Sequence, residues 1–224
     1  MTTREQIRTL LEPITRCYSD VVLDRSWALL VPVRHILKVI KIDGSSSADG
    51  FYPKCMAISL VSPPHLMPLV FEQRFSTRGG WSWTDPGMPE AFYREVDESA
   101  LPTIRSISSF ESLLERTALP GPLRQDPVGS QLFQDIAVHA VRGDLARVRA
   151  WCALAERTRS EWEAGMWREE IEAVVLPICT FMSRDDIAGL MVMLHGWERQ
   201  AAHAVGIDRF WEPSPFPIEE QMQG

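Results

Sequence analysis

The sequence predicts an α+β protein: an N-terminal, mostly antiparallel sheet with flanking helices, followed by a C-terminal helical subdomain. Three observations carry this expectation. Between Ser26 and Val61, short β-branched or aromatic runs are separated by turn residues, the pattern of strands. From Pro89 onward, apolar residues recur at helical spacing. Between these regions, Leu119-Pro-Gly-Pro-Leu-Arg-Gln-Asp-Pro-Val-Gly129 concentrates proline and glycine and reads as a linker. The expected divisions are 1–118 for the sheet subdomain, 119–129 for the linker, 130–206 for the helical subdomain and 207–224 for an extended, proline-rich tail.

Thr2 and Glu5 have the spacing of a capping box, and Ile7, Leu10, Leu11, Ile14 and Tyr18 follow on one face, so the chain opens with an amphipathic helix. Strands are expected over Ser26 to Val33, His35 to Asp43 and Phe51 to Val61. Gly44-Ser-Ser-Ser-Ala-Asp-Gly50 suits a hairpin between the last two better than a crossover helix. The second strand has apolar side chains on both faces and should be central. In Leu69 to Phe75, Leu69, Phe71 and Phe75 alternate with Glu72 and Arg74, so a half-solvated strand is expected there. Ser62-Pro-Pro-His-Leu-Met-Pro68 should be a loop, because proline has no amide for a ladder.

In the helical region, Phe92, Val96 and Ala100 share a face, and Ser109 is placed to cap a helix carrying Phe110, Leu113 and Leu114. Four further helices are expected at roughly 130–142, 144–160, 162–182 and 184–204. Gly143 and Asp144 should turn the first two into an antiparallel hairpin, Pro177 should kink the third, and Ser183 should cap the last. Trp211 and Phe216 suggest that the tail docks on the body.

Composition bounds the function. The 224 residues are 45% hydrophobic, enough for a sizeable core, and carry a formal charge of -7. That charge, without any run of Lys or Arg, argues against nucleic acid and for a basic protein partner. No apolar run approaches the roughly 20 residues of a bilayer span, and no signal peptide is evident, so a cytoplasmic location is the default expectation. Cys17, Cys55, Cys152 and Cys179 are far apart without a C-x-x-C pair and read as small buried hydrophobes. His35, His65, His139, His195 and His203 show no metal-ligand spacing. No nucleophile signature occurs, and Gly79-Gly80 lacks the residues of a phosphate loop. Neither a cofactor nor a metal is therefore expected. Glu161, Glu163, Glu169, Glu170 and Glu172 read as a solvated helix face rather than an acid/base pair.

The unusual feature is tryptophan: eight residues, most expected in the core. Trp81 and Trp83 differ, because they sit two apart in the segment Gly79-Gly-Trp-Ser-Trp-Thr-Asp-Pro-Gly87 and should point to one side. With Asp85 they form the candidate partner-binding site, as an exposed aromatic pair would anchor a protein partner. The simpler alternative is a strand end covering the sheet.

The order of elements, a helix, a strand bearing Trp27, paired strands through His35-Ile-Leu-Lys-Val-Ile-Lys and Cys55-Met-Ala-Ile-Ser-Leu, then helices, resembles uncharacterised bacterial domain-of-unknown-function proteins of the toxin-immunity type. The resemblance covers the first half of the chain, rests on layout and transfers no functional residue. It implies a non-catalytic protein-binding module, most concretely an immunity-type inhibitor of a toxin. The alternative is an enzyme with a site between the sheet and the helical subdomain, drawing on Asp43, His65, Arg74 and Asp85.

Overall fold

The computed structural model describes residues 2–63, 69–75, 80–117, 130–158 and 168–223. For residues 130–134, 170 and 171 only the backbone is described. The linker 119–129, His65, Gly79, Glu161, Trp162, Glu163 and Trp167 lie outside these residues. The fold is α+β, with an antiparallel sheet in the N-terminal half and helices dominating the C-terminal half.

Helix α1 spans Arg4–Cys17. Its capping box sits one residue later than the spacing of Thr2 and Glu5 suggested: Thr3 Oγ1 accepts from the Gln6 amide at 3.2 Å, and Gln6 Oε1 accepts from the Thr3 amide at 2.8 Å. Sliding by one residue keeps Ile7, Leu10, Leu11 and Ile14 buried while giving the cap a Gln at its third position.

The sheet runs β1 (Val21–Asp24), β2 (Trp27–Leu30), β3 (Ile36–Gly44), β4 (Gly50–Ser59) and β5 (Val70–Arg74), with β6 (Trp81–Ser82) also pairing with β4. Strand β3 is central, as its two apolar faces required, and Ser45 N donates to Gly50 O across the expected β3–β4 hairpin. Strand β1 is an addition to the expected set and pairs with β2 through Asp24↔Trp27. One face of the sheet, including Ala28, Ile40, Ile42, Phe51 and Cys55, closes a core with α1, α2 (Met88–Glu95) and the wide turn Val96–Ala100.

That wide turn recurs. The π-helical turn Val96–Ala100 precedes Leu101-Pro102 at the start of α3 (Leu101–Ser106), and a second one, Ile171–Val175, lies between α7 (Arg168–Glu170) and Leu176-Pro177 at the start of α8 (Leu176–Ser183). A proline ring collides with the carbonyl four residues back and brings no amide, and a turn with one extra residue moves that carbonyl away. At Pro177 the chain thus widens a turn where a plain kink was expected. Before these lie α4 (Phe110–Thr117), headed by Ser109 as expected, α5 (Ser130–Arg142) and α6 (Leu145–Arg157).

The described chain divides into two compact units, one of residues 1–58, 70–116 and 210–212, the other of residues 59–69, 117–209 and 213–224. In the second unit, Gly143 at φ 85° ends α5, and Asp144 caps α6 by accepting from the Arg147 amide at 3.3 Å. Asp186, rather than Ser183, caps α9 (Ile187–Val205), accepting from the Gly189 amide at 2.8 Å. Ser183 is instead the last residue of α8, and its hydroxyl bonds back to the Thr180 carbonyl.

Two cysteines depart from expectation. Cys152 on α6 and Cys179 on α8 form a disulfide, with Cα atoms 5.3 Å apart. Cys17 is an exposed thiol, and only Cys55 is the buried hydrophobe the sequence suggested, its thiol pushed up to about 11 by burial. The tail is extended only as far as Phe216, after which Pro217 opens α10 (Pro217–Gln223). Trp211 makes a parallel bridge to Val33, while Phe216 is fully buried and stacks on His195 with ring centroids 4.0 Å apart.

His139 gives the second unit a pH dependence. Burial holds this imidazole below its ordinary range and the guanidiniums of Arg147 and Arg142 push the same way, outweighing the upward pull of Asp144, whose Oδ2 lies 3.1 Å from Nδ1. The unfolded chain, with an ordinary value of about 6.5, takes up this proton first as pH falls. The stabilisation is therefore complete above about pH 6.5 and is lost progressively below it. Denaturant titrations are expected to show a larger loss between about pH 7.5 and about pH 5 for the natural chain than for His139→Gln.

Candidate functional site

Of the three residues singled out for partner binding, the structure places one in a cavity. Strand β6 ends at Ser82, so the two-residue alternation stops before Trp83, which lies in the turn that leads into α2. Trp81 is only 8% exposed: its Nε1 donates to the Phe75 carbonyl at 3.2 Å and its ring meets Phe51, Phe75 and Phe92 at centroid distances of 6.0, 6.3 and 6.1 Å. It forms part of the core rather than an exposed anchor, because the β4 pairing turns it toward the packed face of the sheet. Trp83 is half-buried, stacked on Phe51 at 4.1 Å, with Nε1 donating to Thr2 Oγ1 at 3.1 Å. Asp85 is exposed and serves the local turn, accepting from the Gly87 amide at 2.9 Å.

Trp83 lines a groove of about 560 Å³, within the size range of ligand pockets. One wall is α1, through Thr3, Glu5, Gln6, Thr9, Leu10 and Pro13; the other is the start of α2, through Met88, Pro89 and Tyr93. The two walls are held together by the Tyr93 hydroxyl, which donates to the Leu10 carbonyl at 3.1 Å.

Several of the polar groups lining this groove are already used inside the protein. Gln6 Oε1 and Thr3 Oγ1 accept in the capping box, Trp83 Nε1 donates to Thr2, and the Tyr93 hydroxyl donates to Leu10. Glu5 and Thr9, both exposed, make no side-chain hydrogen bond or ion pair among the described residues. Pro13 also brings no amide to the carbonyl of Thr9, its usual partner four residues back in a helix. What the groove presents is apolar surface, one carboxylate and a few neutral hydroxyl and amide groups. Such a site suits an apolar side chain accompanied by a cation or an N–H donor.

The chain matches no family model, no curated protein and no solved structure. Function is therefore read from the site itself.

Of the residues named for an enzymatic alternative, His65 lies outside the described residues, Asp85 serves the turn already described, and Asp43 and Arg74 lie on the sheet. Asp43 belongs to an ion ladder on the other face of the sheet: its carboxylate meets Lys41 Nζ and Lys54 Nζ, each at 2.8 Å, and Lys54 Nζ also meets Glu72 at 2.8 Å. Partial burial alone would raise the Asp43 carboxyl, but hydrogen bonds from the two lysines hold it below its usual range. Arg74 extends the ladder, 3.9 Å from Glu72 and over the Tyr52 ring at 5.4 Å. Opposite charges in neighbouring strands support the sheet, and a carboxylate held ionised between lysines is poorly suited to take up a proton. No group of three or more His, Cys, Asp or Glu among the described residues could hold a metal ion. No described helix is long and apolar enough to cross a membrane.

Sequence reasoning reached Trp83 through its composition but had no route to the remaining groove residues. Thr9, Pro13, Met88 and Pro89 carry no chemical signature, and only tertiary packing brings α1 beside the start of α2.

Proposed function

We propose that this chain is a non-catalytic protein-binding module whose groove between α1 and α2 receives an apolar side chain, flanked by a Lys or Arg, from a basic protein partner. An immunity-type inhibitor covering a basic toxin is the most concrete form of this reading. The observation that carries it is the character of the groove: apolar walls formed by Trp83, Met88, Pro89 and Leu10, the Trp83 and Tyr93 donors engaged inside the protein, and Glu5 as the single charged lining residue. The net charge of -7 supports it from a distance, because an acidic surface speeds the capture of a cationic partner.

The test is affinity capture with the intact chain and with two variants on the exposed rim of α1, Glu5→Arg and Thr9→Arg. Both positions are solvent-facing, so the fold should tolerate arginine there. A basic protein retained by the natural chain should bind at least about tenfold more weakly to either variant, a loss of about 1.4 kcal/mol or more. Equal retention by all three would place the partner's footprint elsewhere and refute the groove.

A further inference from the structure

The structure assigns a second property to this chain, independent of the groove: we propose that Cys152–Cys179 is a thiol–disulfide switch that governs how firmly α6 is held. Both cysteines are only half-buried, within reach of a small reductant. The helix they anchor is thinly packed. Of its thirteen residues only Val148 and Ala155 are fully buried, whereas α9 buries six side chains, including Leu190, Met191 and Leu194. Contacts in its N-terminal half include the Asp144 cap, the edge-on approach of Trp151 to the His139 ring at 5.0 Å, and the pair of Arg149 with Asp185 at 2.9 Å. In its second half, the covalent bridge to α8 adds a restraint to the burial of Ala155.

The chemistry is thiol–disulfide exchange. A thiolate of a dithiol reductant attacks one sulfur of the bridge, forming a mixed disulfide and releasing the other cysteine as a thiolate that takes a proton. The second thiol of the reductant then displaces the remaining cysteine, so the reductant leaves as a disulfide and two electrons enter the protein as two thiols. A low-molecular-weight disulfide reverses the sequence. The other cysteines contrast with this pair: Cys55 is buried with its thiol pushed up to about 11, a poor attacking group, and Cys17 is exposed but unbridged. A chain that carries both an exposed unbridged thiol and a half-buried bridge fits a compartment where thiols and disulfides exchange better than one where every cysteine is oxidised.

The experiment compares hydrogen exchange of the full chain, oxidised and dithiothreitol-reduced, and traps thiols in cells with a maleimide before and after an oxidant pulse. Reduction should increase exchange in the second half of α6, leave β2 and β3 unchanged and lower the melting temperature by about 5–10 °C. Cys179→Ser should reproduce the reduced state and Cys17→Ser should not. In cells, the bridged fraction should rise with oxidant. The proposal fails if the pair stays wholly oxidised or wholly reduced throughout, or if α6 exchanges alike in both states; permanent oxidation would mark a structural staple.

Discussion

Trp81→Ala is expected to lower the unfolding free energy by about 3–5 kcal/mol, measured by urea titration. The indole is almost fully buried, touches three aromatic rings and donates to the Phe75 carbonyl, so its removal opens a cavity among Phe51, Phe75 and Phe92 and leaves that acceptor without its donor. Trp83→Phe should cost much less, because the half-buried ring keeps a stacking partner in Phe51 and gives up only the hydrogen bond to Thr2. A double alanine variant of this pair would consequently report on folding, whereas rim substitutions at Glu5 and Thr9 report on binding. Comparable losses for Trp81→Ala and Trp83→Phe would contradict the placement of these two rings.

Phe216→Ala is expected to be as damaging, again about 3–5 kcal/mol. Phe216 is fully buried and lies nearly parallel to the His195 ring, at 9°. Glu219 closes the same contact from α10, with Oε2 2.8 Å from His195 Nε2 and 2.7 Å from the Phe216 amide that donates to it. Glu198, buried on α9, brings its Oε2 within 3.5 Å of His195 Nδ1. Removing the Phe216 ring takes away the apolar anchor of residues 213–223, so limited proteolysis should cut there first. A tail that remains protected in Phe216→Ala would show that Ile218 and the His195–Glu219 pair hold it unaided.

Much of the architecture was legible because periodicity and turn chemistry agreed. The helix expected at 130–142 is found over those residues, the Gly143-Asp144 hairpin has the glycine conformation and cap that its residues demand, and β3 is central because both faces of its sequence are apolar. Strand β1 was missed for an identifiable reason. It is four residues long, and the two-residue turn after it is Arg25-Ser26, where Arg25 takes a φ of 54° that asparagine or glycine would normally announce. The cap of α1 was placed one residue early because Thr2 and Thr3 both offer a hydroxyl, and only the position of Gln6 decides between them.

The candidate site was less legible because its parts acquire meaning only in three dimensions. The spacing of Trp81 and Trp83 implied a single aromatic face, and both rings do pack on Phe51, but Trp81 is buried in the core while Trp83, past the end of β6, also lines the groove. Cys152 and Cys179 lie 27 residues apart in sequence, a separation carrying no pairing signal until α6 and α8 pack together.

The most direct test of the groove is hydrogen exchange on the captured complex, compared with the free chain. The account predicts slowed exchange confined to the first three turns of α1 and to residues 83–93, with loss of that protection in Glu5→Arg. Protection lying instead on the β3–β5 ion ladder or on the helices after residue 130, with α1 unchanged, would contradict it.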